Sequence, residues 1–287
     1  MKENLLISWL NNSIAACRKI LVFFELDSSR SIKSPTVVSF TGGMGAQILS
    51  ASIYYHYKKL GKPVYADLSY FKKDKHLASE GIKGEVSHWD WQLSTFGIEL
   101  DSFKNLPSDT SNSNFLPDGL KKAHRGFEAL KCPEIREHFS IKNNQSRKIC
   151  IGHEEDYICV HVRRGDYINV ASHIISDDQF IAVTNKFSKL IPNLVVISDS
   201  QIDDAFKNSF KEFSKVIFLD EIQPYDAHCI MREAKILVCS NSQFSLTAGL
   251  LNPNGLVILP KNWFGNDNKL NELVKPIHDS CHFQVFT

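Results

Sequence analysis

Residues 36–69 read TVVSFTGGMGAQILSASIYYHYKKLGKPVYADLS. The opening TVVSF (36–40) is short and β-branched, as a covered strand requires, and TGGMG follows as a loop. AQILSASIYYHYKKLG (46–61) carries helical periodicity and stops at Gly61. PVYADLS (63–69) returns to strand character. Strand, loop, helix and strand in this order form a βαβ unit, whose two strands run parallel.

Further along, strands are expected at 157–162, 194–198 (LVVIS), 215–219 (KVIFL), 236–240 (ILVCS) and 256–259 (LVIL), with helical patterns between them. Phe180, Val183, Phe187 and Leu190 share one helical face, and Ser176 with Gln179 reads as a capping box ahead of them. Ala227, Ile230, Met231 and Ala234 mark another helix, with Asp226 as its expected N-cap. Between the two halves the signal weakens. FKNLPSDTSNSNFLPDG (103–119) reads as a polar loop, and SIKNNQSRK (140–148) as a linker. The expected fold is α/β: two facing doubly wound, Rossmann-like domains with a cleft between them, ligands lying at the carboxyl ends of the strands. The expected boundaries are an N-terminal helical extension (1–34), an N-terminal α/β domain (35–150), a C-terminal α/β domain (151–265) and a tail (266–287).

Composition narrows the class. The 287 residues are ample for two cores, and 33 basic against 32 acidic side chains leave a net charge of +1. A chain so balanced has no general attraction for nucleic acid, so any anion site must be local. Seven cysteines without a C-x-x-C pair suit a reducing cytoplasm better than a disulfide framework. No apolar stretch is long enough to span a bilayer. In residues 1–30, Leu6, Trp9, Leu10, Cys17, Leu21 and Phe24 form an interrupted stripe. Two readings of it stand: a helix packed on the body, or a peripheral contact with a membrane surface.

Four strand ends carry candidate chemistry. In YICVHVRRGDY (157–167) an apolar strand ends in His161, Arg163, Arg164, Gly165 and Asp166. Arginine is costly to bury without a partner, so this pair must meet anions where the strand emerges. Asp166 is one such anion, and a bound phosphate would be another. Gly42, Gly43 and Gly45 open a helix and let backbone approach a ligand, although the dinucleotide fingerprint fails because Ile48 stands at its third position. In CSNSQFSLTAGL (239–250) Ser240, Asn241 and Ser242 also precede a helix, as a phosphate site or simply as its cap. Asp199, after LVVIS, could accept from a nucleoside or cap the next helix. Metal chemistry is disfavoured, since no D-x-D pair occurs. A diphosphate handled without metal needs arginine and helix dipoles instead.

GGMGAQ, YADLSYF, FGIEL, HVRRGDY, ISDS, CIMREAKILVCSNSQFSLTAGLLNP and PKNWF occur in that order across most of residues 36–265. In these segments the chain resembles the family-11 glycosyltransferases, the α-1,2-fucosyltransferases. The resemblance implies a GT-B fold and inverting transfer of L-fucose from GDP-fucose to a saccharide hydroxyl, in surface polysaccharide or O-antigen synthesis. It implies no metal and no other cofactor. The expected partners are the nucleotide-sugar donor and an oligosaccharide acceptor, lipid-linked at the inner face of the membrane or free, with no nucleic acid.

Carried over by residue, the resemblance gives Arg163 the donor diphosphate, sets His161 beside the nucleotide and has Asp166 orient the arginines or line the site. Asp166 and His161 are the two candidate bases. Asn241, Ser242, Gln243 and Ser245 would hold phosphate, Asp199 would face the nucleoside, and Gly43 and Gly45 would face the donor from the other domain. Four positions depart from the family pattern. Ala46 stands where Asn is usual, Leu246 and Thr247 replace two tryptophans, and Ser200 replaces a second Asp. The same residues could serve another nucleotide sugar. A dinucleotide-dependent oxidoreductase and a non-catalytic sugar-binding module are the remaining alternatives.

Overall fold

A computed structural model describes residues 35–72, 90–106, 114–116, 120–141, 155–165, 174–220, 222–264, 268, 271–272 and 283–286. The expected extension (1–34) and most of the expected linker lie outside them.

The first unit is a three-stranded parallel sheet of β1 (Thr36–Ser39), β2 (Val64–Asp67) and β3 (Asn114–Leu116), in the order β2-β1-β3. Helix α1 (Met44–Lys59) joins the first two strands, as a βαβ unit requires. Both flanks of α1 are buried, because α2 (Leu120–Leu130) packs along it. Gly126 makes that approach possible: a β-carbon there would come within 2.7 Å of Leu49 Cβ. A five-residue helix, α3 (Pro133–Glu137), follows α2.

The second unit is a six-stranded parallel sheet, in the order β6-β5-β4-β7-β8-β9. Its strands are β4 (Ile158–Val162), β5 (Asn193–Ser198), β6 (Lys215–Leu219), β7 (Ile236–Val238), β8 (Leu256–Pro260) and β9 (Phe283–Phe286). The chain runs outward from β4 to β6, then returns and runs outward from β7 to β9. Strand order therefore reverses between β4 and β7, and in open α/β sheets the ligand crevice opens at that switch point. Helices α4 (Asp177–Asn185), α5 (Asp204–Lys207), α6 (Pro224–Glu233) and α7 (Gln243–Leu251) make the crossovers.

Side chains on a strand alternate between faces, and here each face meets a different core. Cys159, Val195, Ile197, Leu237, Cys239 and Leu259 join the cluster that continues through α6 and α7 into the first unit. Ile158, Val160, Val162, Leu194, Val196 and Val238 join a separate outer cluster with Phe180 and Phe206. The inner core spans both units. Arg232 Nη1 on α6 also reaches across to donate to the Phe139 carbonyl at 2.6 Å. Two facing parallel α/β units are the GT-B arrangement.

The capping box of Ser176 and Gln179 is present at α4. Elsewhere the structure corrects the sequence expectations. Gln223, not Asp226, is the N-cap of α6: Pro224 takes the first helical position and Asp226 sits in the first turn, where a carboxylate suits the helix dipole. The expected polar loop at 103–119 contains a 3-10 turn (Phe103–Asn105) and β3. The expected tail supplies β9, which pairs with β8 and completes the sheet.

Candidate functional site

The six-stranded sheet delivers two adjacent arginines to its carboxyl edge with opposite fates. Arg163 continues the inner-face alternation of Cys159 and His161. Arg164 continues the outer one and is held there. Its guanidinium pairs with Asp177 on α4, lies 3.4 Å from Asp203 Oδ2, and stacks 5.2 Å from the Phe206 ring centroid. Asp203 meanwhile caps α5 through the Phe206 N–H, which with Arg164 keeps its carboxyl below the usual range.

Arg163 pairs with Asp199 at 2.8 Å, and both side chains are largely buried. The other Asp199 oxygen accepts from the backbone N–H groups of Arg164 (2.8 Å) and Gly165 (3.1 Å). One carboxylate therefore neutralises the arginine and fixes the turn beyond β4. Gly165 is dictated by that clamp, since a β-carbon there would fall 2.6 Å from Asp199 Oδ2. Asp166 lies outside the described residues.

On the other side of β4, across the switch point, His161 Nδ1 lies 2.8 Å from Ser240 Oγ. Its ring meets the Phe244 edge at 5.5 Å between centroids. Burial pulls the imidazole down to about 4; Asp199 works against that shift and Arg163 adds to it. His161 is thus neutral at pH 7 and only 2% exposed. His228 on α6 also packs on Phe244, at 5.4 Å between centroids, and lies 3.3 Å from Thr247 Oγ1. It too is held well below the ordinary histidine range, by burial first and then by Arg232 and His161.

The loop before α7 is organised by its own polar groups. Ser242 caps the helix through the Phe244 N–H at 3.3 Å. Asn241 Nδ2 donates to the Trp263 carbonyl at 3.0 Å, and Ser245 Oγ lies 3.3 Å from the carbonyls of Ser240 and Ser242. Gln243 is the first residue of the helix. What this loop can offer a ligand is the positive end of α7.

That end meets the start of α1. A β-carbon on Gly45 would lie 2.5 Å from the Gln243 carbonyl carbon and the Phe244 nitrogen. The missing side chain of Gly45 is thus occupied by the backbone of the other unit. Gly43 is the N-cap of α1 and gives no side-chain cap, and Gly42 takes φ +71°, a conformation that favours glycine. Gln47, fully buried, holds this loop by donating to the Gly42 carbonyl (2.8 Å) and the Asp90 carbonyl (2.7 Å) while accepting from the Gln92 N–H (2.9 Å). Two helix N-termini, each a partial positive charge, therefore converge from the two units. Such a junction suits an anion.

The structure thus brings His161, Arg163, Asp199, Asn241, Ser242, Gln243 and Ser245 to one sheet edge, and sets Gly43 and Gly45 opposite. Sequence reasoning passed over Gln47, His228 and Phe244. The signal for Gln47 was a polar residue in the first turn of an otherwise buried helix. Among the described residues no group of three or more His, Cys, Asp or Glu side chains could hold a metal ion, and no helix is long and apolar enough to cross a membrane.

The glycosyl transferase family 11 profile matches residues 48–276. The chain belongs to that family. None of the curated proteins matches it significantly. Solved structures similar to it include POFUT1 in complex with GDP-fucose, at TM-score 0.47 and 11% identity over 79% of this chain and 96% of that one. Another is E. coli ADP-heptose LPS heptosyltransferase II, at TM-score 0.45 and 10% identity over 88% and 89%. A third is NodZ α-1,6-fucosyltransferase soaked with GDP-fucose, at TM-score 0.41 and 15% identity over 77% and 93%.

Proposed function

We propose, from membership of glycosyl transferase family 11 and the geometry above, that the chain transfers L-fucose from GDP-fucose to a saccharide hydroxyl in α-1,2 linkage with inversion. The observation that carries this reading is the place of Arg163. It stands at the switch point of the six-stranded sheet, oriented by Asp199, on the side where α7 and α1 begin. A diphosphate suits that position, because guanidinium and helix N-termini together offset its charge.

In the reaction the acceptor oxygen forms a bond to the anomeric carbon as the bond from that carbon to the diphosphate oxygen breaks. The electron pair of the broken bond stays on the diphosphate, and Arg163 stabilises the growing charge there. No proton has to reach the leaving group. The acceptor's hydroxyl proton goes to a base, for which Asp166 is the carboxylate candidate. His161, neutral and enclosed, enters as a positioning residue: it holds Ser240 and Phe244 at the start of α7. The proposal includes no divalent metal, because a guanidinium and helix N-termini can together meet a diphosphate's charge. An acceptor in surface polysaccharide or O-antigen, lipid-linked at the cytoplasmic face of the membrane, rests on the family resemblance alone.

A panel of nucleotide sugars, assayed with saccharide acceptors for released nucleotide, tests the reading. GDP-fucose should give the fastest acceptor-dependent release. Preference for another donor would retain the transferase and reject fucose. Saccharide binding without release from any donor would leave a binding module.

A further inference from the structure

Three aromatic side chains from separate segments converge at the carboxyl edge of the first sheet, outside the machinery described above. Phe40 follows β1 and is fully buried. Phe71 lies in the 3-10 turn (Ser69–Lys72) after β2. Their rings meet Trp91 edge-on, with centroids at 5.6 Å and 5.8 Å. Trp91 itself is only partly buried, and it packs against the core of the first unit. The backbone on both sides of it, at Asp90 and Gln92, is tied by Gln47 to the glycine loop at the start of α1. That loop meets the start of α7.

We infer that Trp91 is the stacking platform for the acceptor saccharide, with a pyranose ring lying on its exposed indole surface and the adjacent Asp90 carboxylate available to its hydroxyls. The inference rests on the transferase reading and deepens it by naming an acceptor-recognition residue. A pyranose presents an apolar face of C–H groups and a rim of hydroxyls. A rigid aromatic surface beside an exposed carboxylate complements both, as do sites that combine aromatic walls with a few placed polar groups. The position agrees: in an open parallel sheet the ligand side is the carboxyl edge, and Phe40, Phe71 and Trp91 all stand there. The basic groups of the second unit take the donor, which leaves this aromatic surface on the first unit for the saccharide partner.

The test is steady-state transfer by the full chain with GDP-fucose and a galactoside acceptor, comparing wild type with Trp91→Phe and Trp91→Leu. GDP affinity is measured on each by calorimetry. Leucine fills the contact with Phe40 and Phe71 but offers no aromatic face, whereas phenylalanine retains one. Trp91→Leu should raise acceptor KM by about tenfold, a loss of the size of one good contact, and Trp91→Phe by much less, with GDP affinity held in both. Saturating acceptor should also shift tryptophan emission in wild type and not in Trp91→Phe. Unchanged acceptor KM in a folded Trp91→Leu protein overturns the inference and leaves the transferase standing. Equal loss of GDP affinity and acceptor affinity also overturns it, because it makes Trp91 a framework residue. Absence of transfer in wild type with every donor and acceptor rejects the transferase reading itself, and the platform with it.

Discussion

The outer and inner faces of the six-stranded sheet put the same residue type to opposite uses. On the outer face Arg164 is enclosed by Asp177, Asp203 and Phe206, so its charge and stem are spent on holding α4 and α5 to the strand end. On the inner face Arg163 has one buried carboxylate and follows His161, whose ring packs on Phe244 at the start of α7. Neighbours in sequence are separated because strand side chains alternate, and the alternation assigns one arginine to scaffold and the other to the cleft. An R-R pair is therefore two different statements, and only position on the strand distinguishes them.

Substitution at Arg163 should produce the largest effect. Arg163→Ala should lower kcat by about 10²–10³-fold, the usual consequence of removing a donor aimed at developing charge. Arg163→Lys should recover little, because an ammonium lacks the planar fork. Steady-state rates alongside circular dichroism check both points. Wild-type turnover in Arg163→Ala would erase the contrast between the faces.

Gly45→Val addresses the seam on which the inner face depends. Its branched side chain must displace the Gln243–Phe244 backbone, and overpacking of this kind costs about 1–3 kcal/mol. Denaturant unfolding should show that loss, and kcat should fall with it, since both helix starts move. A Gly45→Val protein of unchanged stability and rate would mean that the two units do not meet there.

Acid should also act through the inner face. His161 and His228 are buried neutral, with folded values below the unfolded one. Below about pH 6.5 the unfolded chain binds protons that the folded chain does not, so stability falls by about 1.4 kcal/mol per pH unit for each histidine. For His161 this loss continues until about pH 4. Unfolding midpoints measured from pH 7 to 4.5 should decline, and His161→Asn should flatten the slope. A slope unaltered by that substitution would place the acid sensitivity elsewhere.

Arg164→Ala should have the smallest effect on chemistry. Its partners are partly exposed, so the lost pairing and stacking should cost only about 1–2 kcal/mol of stability after solvent screening. The folded enzyme should keep kcat within a few-fold. A collapse of kcat at full stability would show that the outer face also serves the reaction.

Much of this division was legible in the sequence. The apolar runs at 157–162, 194–198 and 236–240 marked covered parallel strands, and the residues at and after their ends named Arg163, Asp199 and Ser242. What was not legible has physical causes. β3 is three residues long within a run of Ser, Asn and Pro, and only pairing with β1 makes Asn114–Leu116 a strand. β9 depends in the same way on β8. Gly45 reads as freedom for a ligand, yet the space there is filled by the α7 backbone, as the space at Gly165 is filled by Asp199. No local pattern can report a contact made across nearly two hundred residues of sequence. Trp91 was hidden for the same reason: its significance comes from Phe40, Phe71 and Gln47, which lie far from it in the chain.

The central claim is that Arg163, and not a metal ion, holds the donor diphosphate. Calorimetric titration of GDP into wild type, Arg163→Ala and Arg164→Ala, all in excess chelator, tests it most directly. The account predicts binding to wild type and Arg164→Ala with similar affinity, and a loss of about a hundredfold or more in Arg163→Ala, the size expected for a buried charge-assisted contact. GDP that binds Arg163→Ala as tightly as wild type, or binds wild type only after magnesium or manganese is restored, would contradict it.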